Sequence, residues 1–209
     1  MWIAVHIFFE QPFSHFRPPL PLPLIYSIYS DNHMAQAGDI YERELKHLLS
    51  GNEKVIDKMI KTCDDQEKSA FSSMKEHPFI VIRAAGSLGV DLVALRWDYC
   101  FPIEVKSSAD DVLHFSRSAR LSEQADRMMD ECKRSSVAPI YAFRRKGGKG
   151  DPWRIFILPI DLELKGRMGL LQRRVPKIEV NGNNNLIMRW DDGMKLSKFI
   201  EYMSMQCEQ

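Results

Sequence analysis

The sequence predicts an α/β domain in which a mixed central sheet is flanked by helices. Three observations lead there: an amphipathic helical pattern, a set of three short apolar runs of strand length, and a second helical pattern followed by a hairpin signature. Ile40, Tyr41, Leu45, Leu48 and Leu49 recur at helical spacing and give the first helix. Residues 52–77 are polar and charge-rich, and are expected to form a helical insertion on the surface. Residues 79–82 are expected as a short buried strand, and residues 91–95 and 100–106 as two more, joined by a short turn over 96–99. Residues 117–134 place Leu121, Ala125, Met128, Met129 and Cys132 on one face of a second helix. Residues 138–144 and 153–158 then flank Lys146-Gly-Gly-Lys-Gly150, a hairpin. The order is α-β-β-β-α-β-β. After Pro159 the pattern weakens to a loop at Gly182-Asn-Asn-Asn185, a strand at 186–190 and a helix at 194–205. Residues 161–209 are expected as a C-terminal extension packed on the domain formed by 34–160.

Residues 1–33 are unlike the rest. They hold five of the eleven prolines and only three charged residues, Glu10, Arg17 and Asp31. No basic region precedes the apolar part and prolines interrupt every candidate span, which argues against a signal peptide or a membrane helix. Met34 opens a stretch that reads as a start, so 1–33 is expected to be a mis-called upstream extension or a disordered tail. The rival is a proline-rich docking segment around Pro-Pro-Leu-Pro-Leu-Pro.

The formal net charge of +1 does not announce a nucleic-acid binder, but its distribution is uneven. Residues 113–150 carry nine Lys/Arg against four Asp/Glu, and residues 165–177 carry five basic residues and no acidic one. Such clusters suit a phosphate backbone, although a charge run by itself is more often a solvated face. Cys63, Cys100, Cys132 and Cys207 stand far apart without a C-x-x-C pair, which disfavours a zinc ribbon and fits a reducing cytoplasm. The six histidines show no paired ligand spacing, and no G-x-G-x-x-G or Walker pattern is present.

The chemistry concentrates on Asp91, at the head of one predicted strand, and Glu104-Val-Lys106 on the next. Side chains alternate along a strand, so Glu104 and Lys106 share a face, and a short turn brings Asp91 alongside it. Two converging carboxylates are hard oxygen ligands of the kind Mg²⁺, or Mn²⁺ in its place, prefers. A lysine beside them can orient an attacking water or stabilise charge on a phosphodiester in hydrolysis. E-x-K alone is weak: Glu44-Leu-Lys46 and Glu163-Leu-Lys165 repeat it and read as surface decoration. The competing structural reading is an ion pair between Lys106 and Asp91, since unpaired charges on buried strands are costly.

The wider arrangement is more specific. Gly38-Asp-Ile-Tyr-Glu-Arg-Glu-Leu45, Val81-Ile-Arg-Ala-Ala-Gly-Ser87, Val90-Asp-Leu-Val-Ala94 and Ile103-Glu-Val-Lys-Ser107, in that order, resemble the archaeal Holliday-junction resolvases of the PD-(D/E)xK nuclease superfamily. The resemblance runs through Pro139-Ile-Tyr-Ala-Phe-Arg144 and Trp153-Arg-Ile-Phe156, over about residues 38–158 without the insertion. It implies a restriction-endonuclease-like fold and a metal-dependent endodeoxyribonuclease. In that comparison Glu42, Asp91 and Glu104 correspond to metal ligands, Lys106 to the transition-state stabiliser and Ser87 to an active-site serine near the scissile phosphate. Arg43, Arg83 and Arg144 correspond to positions that contact DNA. Helical spacing does not choose between Glu42 and Glu44; the resemblance chooses Glu42.

The implied partner is four-way junction DNA, cut symmetrically by a homodimer, with no membrane and no small-molecule cofactor. The rivals are another nuclease of the superfamily, acting on flaps, damaged duplex or single strands, and a DNA-binding module that has lost cleavage. The chain departs from the family in being longer and less basic, and neither 52–77 nor the tail after 160 has a counterpart. Gln124 resembles a glutamine that some related nucleases point toward the site, and solvent exposure is the alternative. Met128 and Met129 are expected to pack in the core or a dimer, and Trp153 in the core.

Overall fold

Alternation of apolar and polar side chains along one long strand organises the molecule. In this computed structural model, which describes residues 37–84, 89–97 and 99–205, β3 (Tyr99–Ser108) turns Tyr99, Phe101, Ile103 and Val105 into one core and Glu104 and Lys106 to the other face. The expectations placed on residues 1–33, on Ser87 and on Cys207 lie outside the described residues.

Two antiparallel neighbours, β1 (Ile80–Arg83) and β2 (Leu92–Arg96), complete a meander with β3. The chain then crosses over through α4 (Ala119–Ser135) and returns as β5 (Ile140–Arg145), which lies parallel to β3 with Glu104 opposite Tyr141. The hairpin partner β6 (Trp153–Ile157) and the short β9 (Met194–Lys195) finish a six-stranded mixed sheet of order β1-β2-β3-β5-β6-β9. A three-stranded sheet joins β4 (Val112–His114), β8 (Leu186–Arg189) and β7 (Glu179–Val180). The fold is therefore α/β with a mixed central sheet flanked by helices; the predicted α-β-β-β-α-β-β elements occur in order, with β4, β7 and β9 as strands the sequence did not predict.

Helices cover both faces of the sheet. On one side α1 (Ala37–Leu49) contributes Leu45, Leu48 and Leu49, all fully buried. It shares that core with Leu171 of α5 (Gly166–Arg174) and with Phe199, Ile200 and Met203 of α6 (Leu196–Met205). On the other side α4 buries Ala125, Met128 and Cys132 against Tyr141, Phe143 and Phe156. Leu121 and Met129 pack on the margin of that cluster, and Trp153 is fully buried on the α1 side as expected.

Two expectations about burial fail. Residues 52–77 are helical, as α2 (Glu53–Met59), a 3-10 turn and α3 (Asp65–Ser73), but they are part of the core and not a surface insertion. Ile56, Phe71 and Met74 are fully buried, and α3 packs on α6. The segment is fastened locally: Asn52 caps α2, Asp64 and Glu67 form a capping box on α3, and Glu67 accepts from Lys195 at 2.8 Å. Gly51 has φ 74°, and a side chain there would run into Met74 O at the close of α3. The strand predicted as buried, β1, is instead the edge of the sheet. Only Val81 faces the core, while Ile80 and Ile82 point outward because the α4-side cluster does not extend over them.

Candidate active site

Asp91 precedes β2 and is locked to the neighbouring strand. Its N–H donates to Ile103 O (3.1 Å), its carbonyl accepts from Ala84 N (2.9 Å), and its Oδ2 accepts from Val105 N (2.8 Å). The carboxylate is thereby held beside Glu104, which is 1% exposed on the inner face of β3. Glu104 Oε1 accepts from Lys106 Nζ and from Gln124 Nε2, the latter at 2.7 Å. Gln124 Oε1 in turn accepts from Lys106 Nζ at 3.1 Å. Gln124 therefore faces the site. Its place on α4, three residues after Leu121, next to Ala125 and four residues before Met128, puts it at the edge of that helix's inward stripe.

The other oxygen, Glu104 Oε2, is buried without a hydrogen-bond partner among the described residues. Burial pushes the Glu104 carboxyl up to about 7; Lys106 opposes the rise and Asp91 adds to it. Tyr141, opposite Glu104 in the register, has a buried hydroxyl with no hydrogen bond among the described residues and a pKa raised first by burial and then by the Glu104 and Asp91 charges. A bare, buried carboxylate oxygen beside a second carboxylate is costly unless something cationic fills the space. The arrangement fits a hard divalent cation. No group of three or more His, Cys, Asp or Glu suited to a metal occurs among the described residues. A two-carboxylate set still suits Mg²⁺, which commonly takes one or two carboxylates and completes its shell with water and substrate phosphate oxygens.

The remaining predicted residues are distributed differently. Glu42 is engaged by Arg83, whose Nη2 lies 2.8 Å from Glu42 Oε2 and also pairs with Asp39. Arg43 is tied within α1, its Nε donating to Asp39 O (3.2 Å) and its Nη2 near Asp39 Oδ2 (3.2 Å). Arg144 donates through Nε to Glu44 Oε1 (2.8 Å), stacks over the Tyr41 ring (4.6 Å) and keeps only 15% side-chain exposure. Trp153 Nε1 also donates to Glu44 Oε1, at 3.0 Å. Glu44 is thus a staple between α1, β5 and β6, not surface decoration. That leaves Glu42 as the α1 glutamate whose carboxylate is not committed to the core. The third E-x-K glutamate, Glu163, is on the surface, 87% exposed, as expected.

Two residues at the site were not assigned by sequence reading. Tyr141 lies within an apolar run, and only the parallel register of β3 with β5 brings it opposite Glu104. The Glu44 staple joins residues about a hundred positions apart, and no local pattern marks it.

No family model matches the chain, and no curated protein does. Among solved structures it is similar to Archaeoglobus fulgidus Hjc, a Holliday junction resolvase from an archaeal hyperthermophile. The two share 17% identity over 65% of this chain and 92% of that chain, with a TM-score of 0.40.

Proposed function

We propose that this chain is a divalent-metal-dependent endonuclease of restriction-endonuclease-like fold that resolves four-way DNA junctions as a homodimer. The observation that carries the reading is the Asp91–Glu104 pair on adjoining strands, one oxygen bare and buried, with Lys106 and Gln124 beside it. Asp91 and Glu104 would hold Mg²⁺ or Mn²⁺, with Glu42 as an additional ligand once Arg83 turns to a phosphate. A bound divalent cation supplies Lewis-acid polarisation of the phosphodiester and makes water more acidic. Lys106 directs its ammonium toward the charge that develops on the phosphoryl oxygens. Gln124 hydrogen-bonds both Lys106 and Glu104, so their side chains are held in place before substrate arrives. Ser87 would sit near the scissile phosphate, and Arg43 and Arg83 would reach the flanking backbone. Arg144, fastened to Glu44, orders α1 and contributes less to DNA than the resemblance implies.

The reading of Lys106 as a mere ion-pair partner of Asp91 is disfavoured, because its hydrogen bonds go to Glu104 and Gln124. Among the described residues no helix is long and apolar enough to cross a membrane. The test is Mg²⁺-dependent cleavage compared across four-way junction, flap, linear duplex and single strand of matched sequence. Paired symmetric nicks in the junction, lost in Lys106→Ala, are the expected result. Cleavage confined to flaps or single strands would keep the chemistry and reject the substrate; no cleavage of any of the four would reject the nuclease.

A further inference from the structure

Away from the Asp91–Glu104 pair, the β2–β3 turn and α5 converge on a surface that cleavage does not use. Trp97 stands in that turn, 65% exposed and with φ 58°. Arg96 pairs with Tyr99, so Trp97 is a central residue of a two-residue hairpin turn, where a positive φ is the ordinary geometry and sets the indole at the tip of the β2–β3 connection. The Arg167 guanidinium lies over Trp97, 5.8 Å from the ring centroid, and 6.0 Å from the Tyr99 ring. Arg167 and Arg174 lie about two helical turns apart on one side of α5, with the exposed Leu170 between them, while Leu171 and Gln172 turn inward. Beyond Arg174 a groove of about 820 Å³ runs between residues 160–163 and 172–177. A second, of about 550 Å³, continues past Arg174 and Pro176 toward Lys195 and Lys198. Within the first, Arg173 is held by Glu163 at 3.7 Å and Asp161 pairs with Lys133 at 3.6 Å. Arg174 and Lys177 have no ion pair among the described residues.

We propose that Trp97, Arg167, Arg174 and Lys177 form a second nucleic-acid surface, which takes the sugar-phosphate backbone of a duplex arm outside the cleavage site. The choice of polyanion rests on the nuclease reading above. A cationic stripe with an exposed aromatic at its head is suited to phosphates and a sugar or base face together. Glu104 lies seven steps along the chain from Trp97, through the turn and β3, a span of at most roughly 23 Å at strand rise. That span corresponds to roughly seven base pairs at ~3.4 Å each. An arm too short for the span cannot touch both places. The tail after residue 160 thus lengthens the DNA footprint instead of reshaping the site.

The experiment compares full-length wild type with Arg174→Ala/Lys177→Ala, binding four-way junctions with arms of about 5 and about 15 base pairs across a salt series in metal-free buffer. Wild type should bind the long-armed junction more tightly. The double variant should lose that gain, roughly tenfold in Kd, and its log–log salt slope should fall by about 2, near 0.9 for each phosphate contact removed. Trp97→Ala should lose the gain while keeping the slope. The charge-conserving Arg174→Lys/Lys177→Arg should retain both, which separates lost contacts from misfolding. Single-turnover cleavage at saturating protein should not change. Equal slopes for wild type and the double variant, no gain on lengthening the arms, or a loss seen only on vesicles containing an anionic phospholipid would each overturn the proposal. If no junction is cleaved and the slope difference persists, this surface stands and the nuclease reading alone falls.

Discussion

Glu104 and Asp151 are two carboxylates of nearly equal burial, 1% and 3% exposed, and the chain treats them in opposite ways. Asp151 sits before β6 with both oxygens supplied by backbone donors: Oδ1 accepts from Trp153 N at 3.0 Å and Oδ2 from Ser197 N at 2.7 Å. Ser197 N belongs to the first turn of α6, where the helix cannot satisfy its own N–H groups, so Asp151 caps that helix from another element. Glu104 has one oxygen crowded by Lys106 and Gln124 and the other bare. Burial raises the pKa of both groups; for Asp151 the backbone hydrogen bonds pull back, whereas for Glu104 the Lys106 ammonium pulls back and the Asp91 charge pushes up again. A buried carboxylate with filled lone pairs is part of the framework. One left bare beside a second carboxylate is the place that the proposed cation would fill.

If that contrast is right, the two positions fail in different assays. The largest effect should be Glu104→Gln. It should lower cleavage by on the order of a thousandfold or more, since it removes one of the two carboxylates proposed to hold the cation, while the metal-free melting temperature stays level or rises. Loss of folding in Glu104→Gln would place Glu104 with Asp151 as framework and end the comparison. Asp151→Ala should do the reverse. It strands two buried N–H groups, a cost of about 3 kcal/mol, read as a lower denaturant midpoint at unchanged slope. Cleavage per folded molecule should hold within a few fold. A cleavage loss larger than the loss of folded protein would show that Asp151 reaches the site.

The strands and the central pair were legible because both follow period-two alternation: Ile103 and Val105 had to face the core, so Glu104 and Lys106 had to face away from it. The crossover helix was legible from Ala125, Met128 and Cys132, but periodicity left open whether Gln124 beside them faces the site or solvent, and its hydrogen bonds to Lys106 and Glu104 decide it. What misled was composition. Residues 52–77 are charged enough to read as surface, yet a few apolar anchors such as Ile56, Phe71 and Met74 suffice to bury one side of two short helices. The apolar residues of β1 suggested burial on both faces, but an edge strand past the reach of α4 exposes Ile80 and Ile82. The helix α5 was missed because Gly166 and Gly169 weaken its propensity, and because its basic residues break the apolar spacing around Leu171. Arg144 corresponds to a DNA-contacting position in the resemblance, and no local signal announces its ion pair with Glu44.

The smallest predicted effect tests the same contrast by titration. The Glu104 carboxyl is raised from 4.5 to about 7 in the folded chain, so between those values the folded state holds a proton that the unfolded state has released. Stability then falls as pH rises, because it falls wherever the folded state binds more protons. Metal-free protein should therefore have its Glu104 contribution intact below about pH 4.5 and lose it progressively up to about pH 7. The change should be on the order of 2 kcal/mol, against a background of other carboxylates moving in the opposite sense. Asp151 is raised as well, so the slope of wild type alone does not isolate Glu104. Glu104→Gln does, because it removes one titrating group and leaves Asp151 in place. The difference between the wild-type and Glu104→Gln stability curves should shrink below pH 4.5 and widen toward pH 7. Added Mg²⁺ should close it again at pH 7 by stabilising wild type selectively. Parallel curves across that range would mean that Glu104 is ionised in the folded chain throughout, already satisfied by Lys106, and that the bare oxygen is not waiting for a cation.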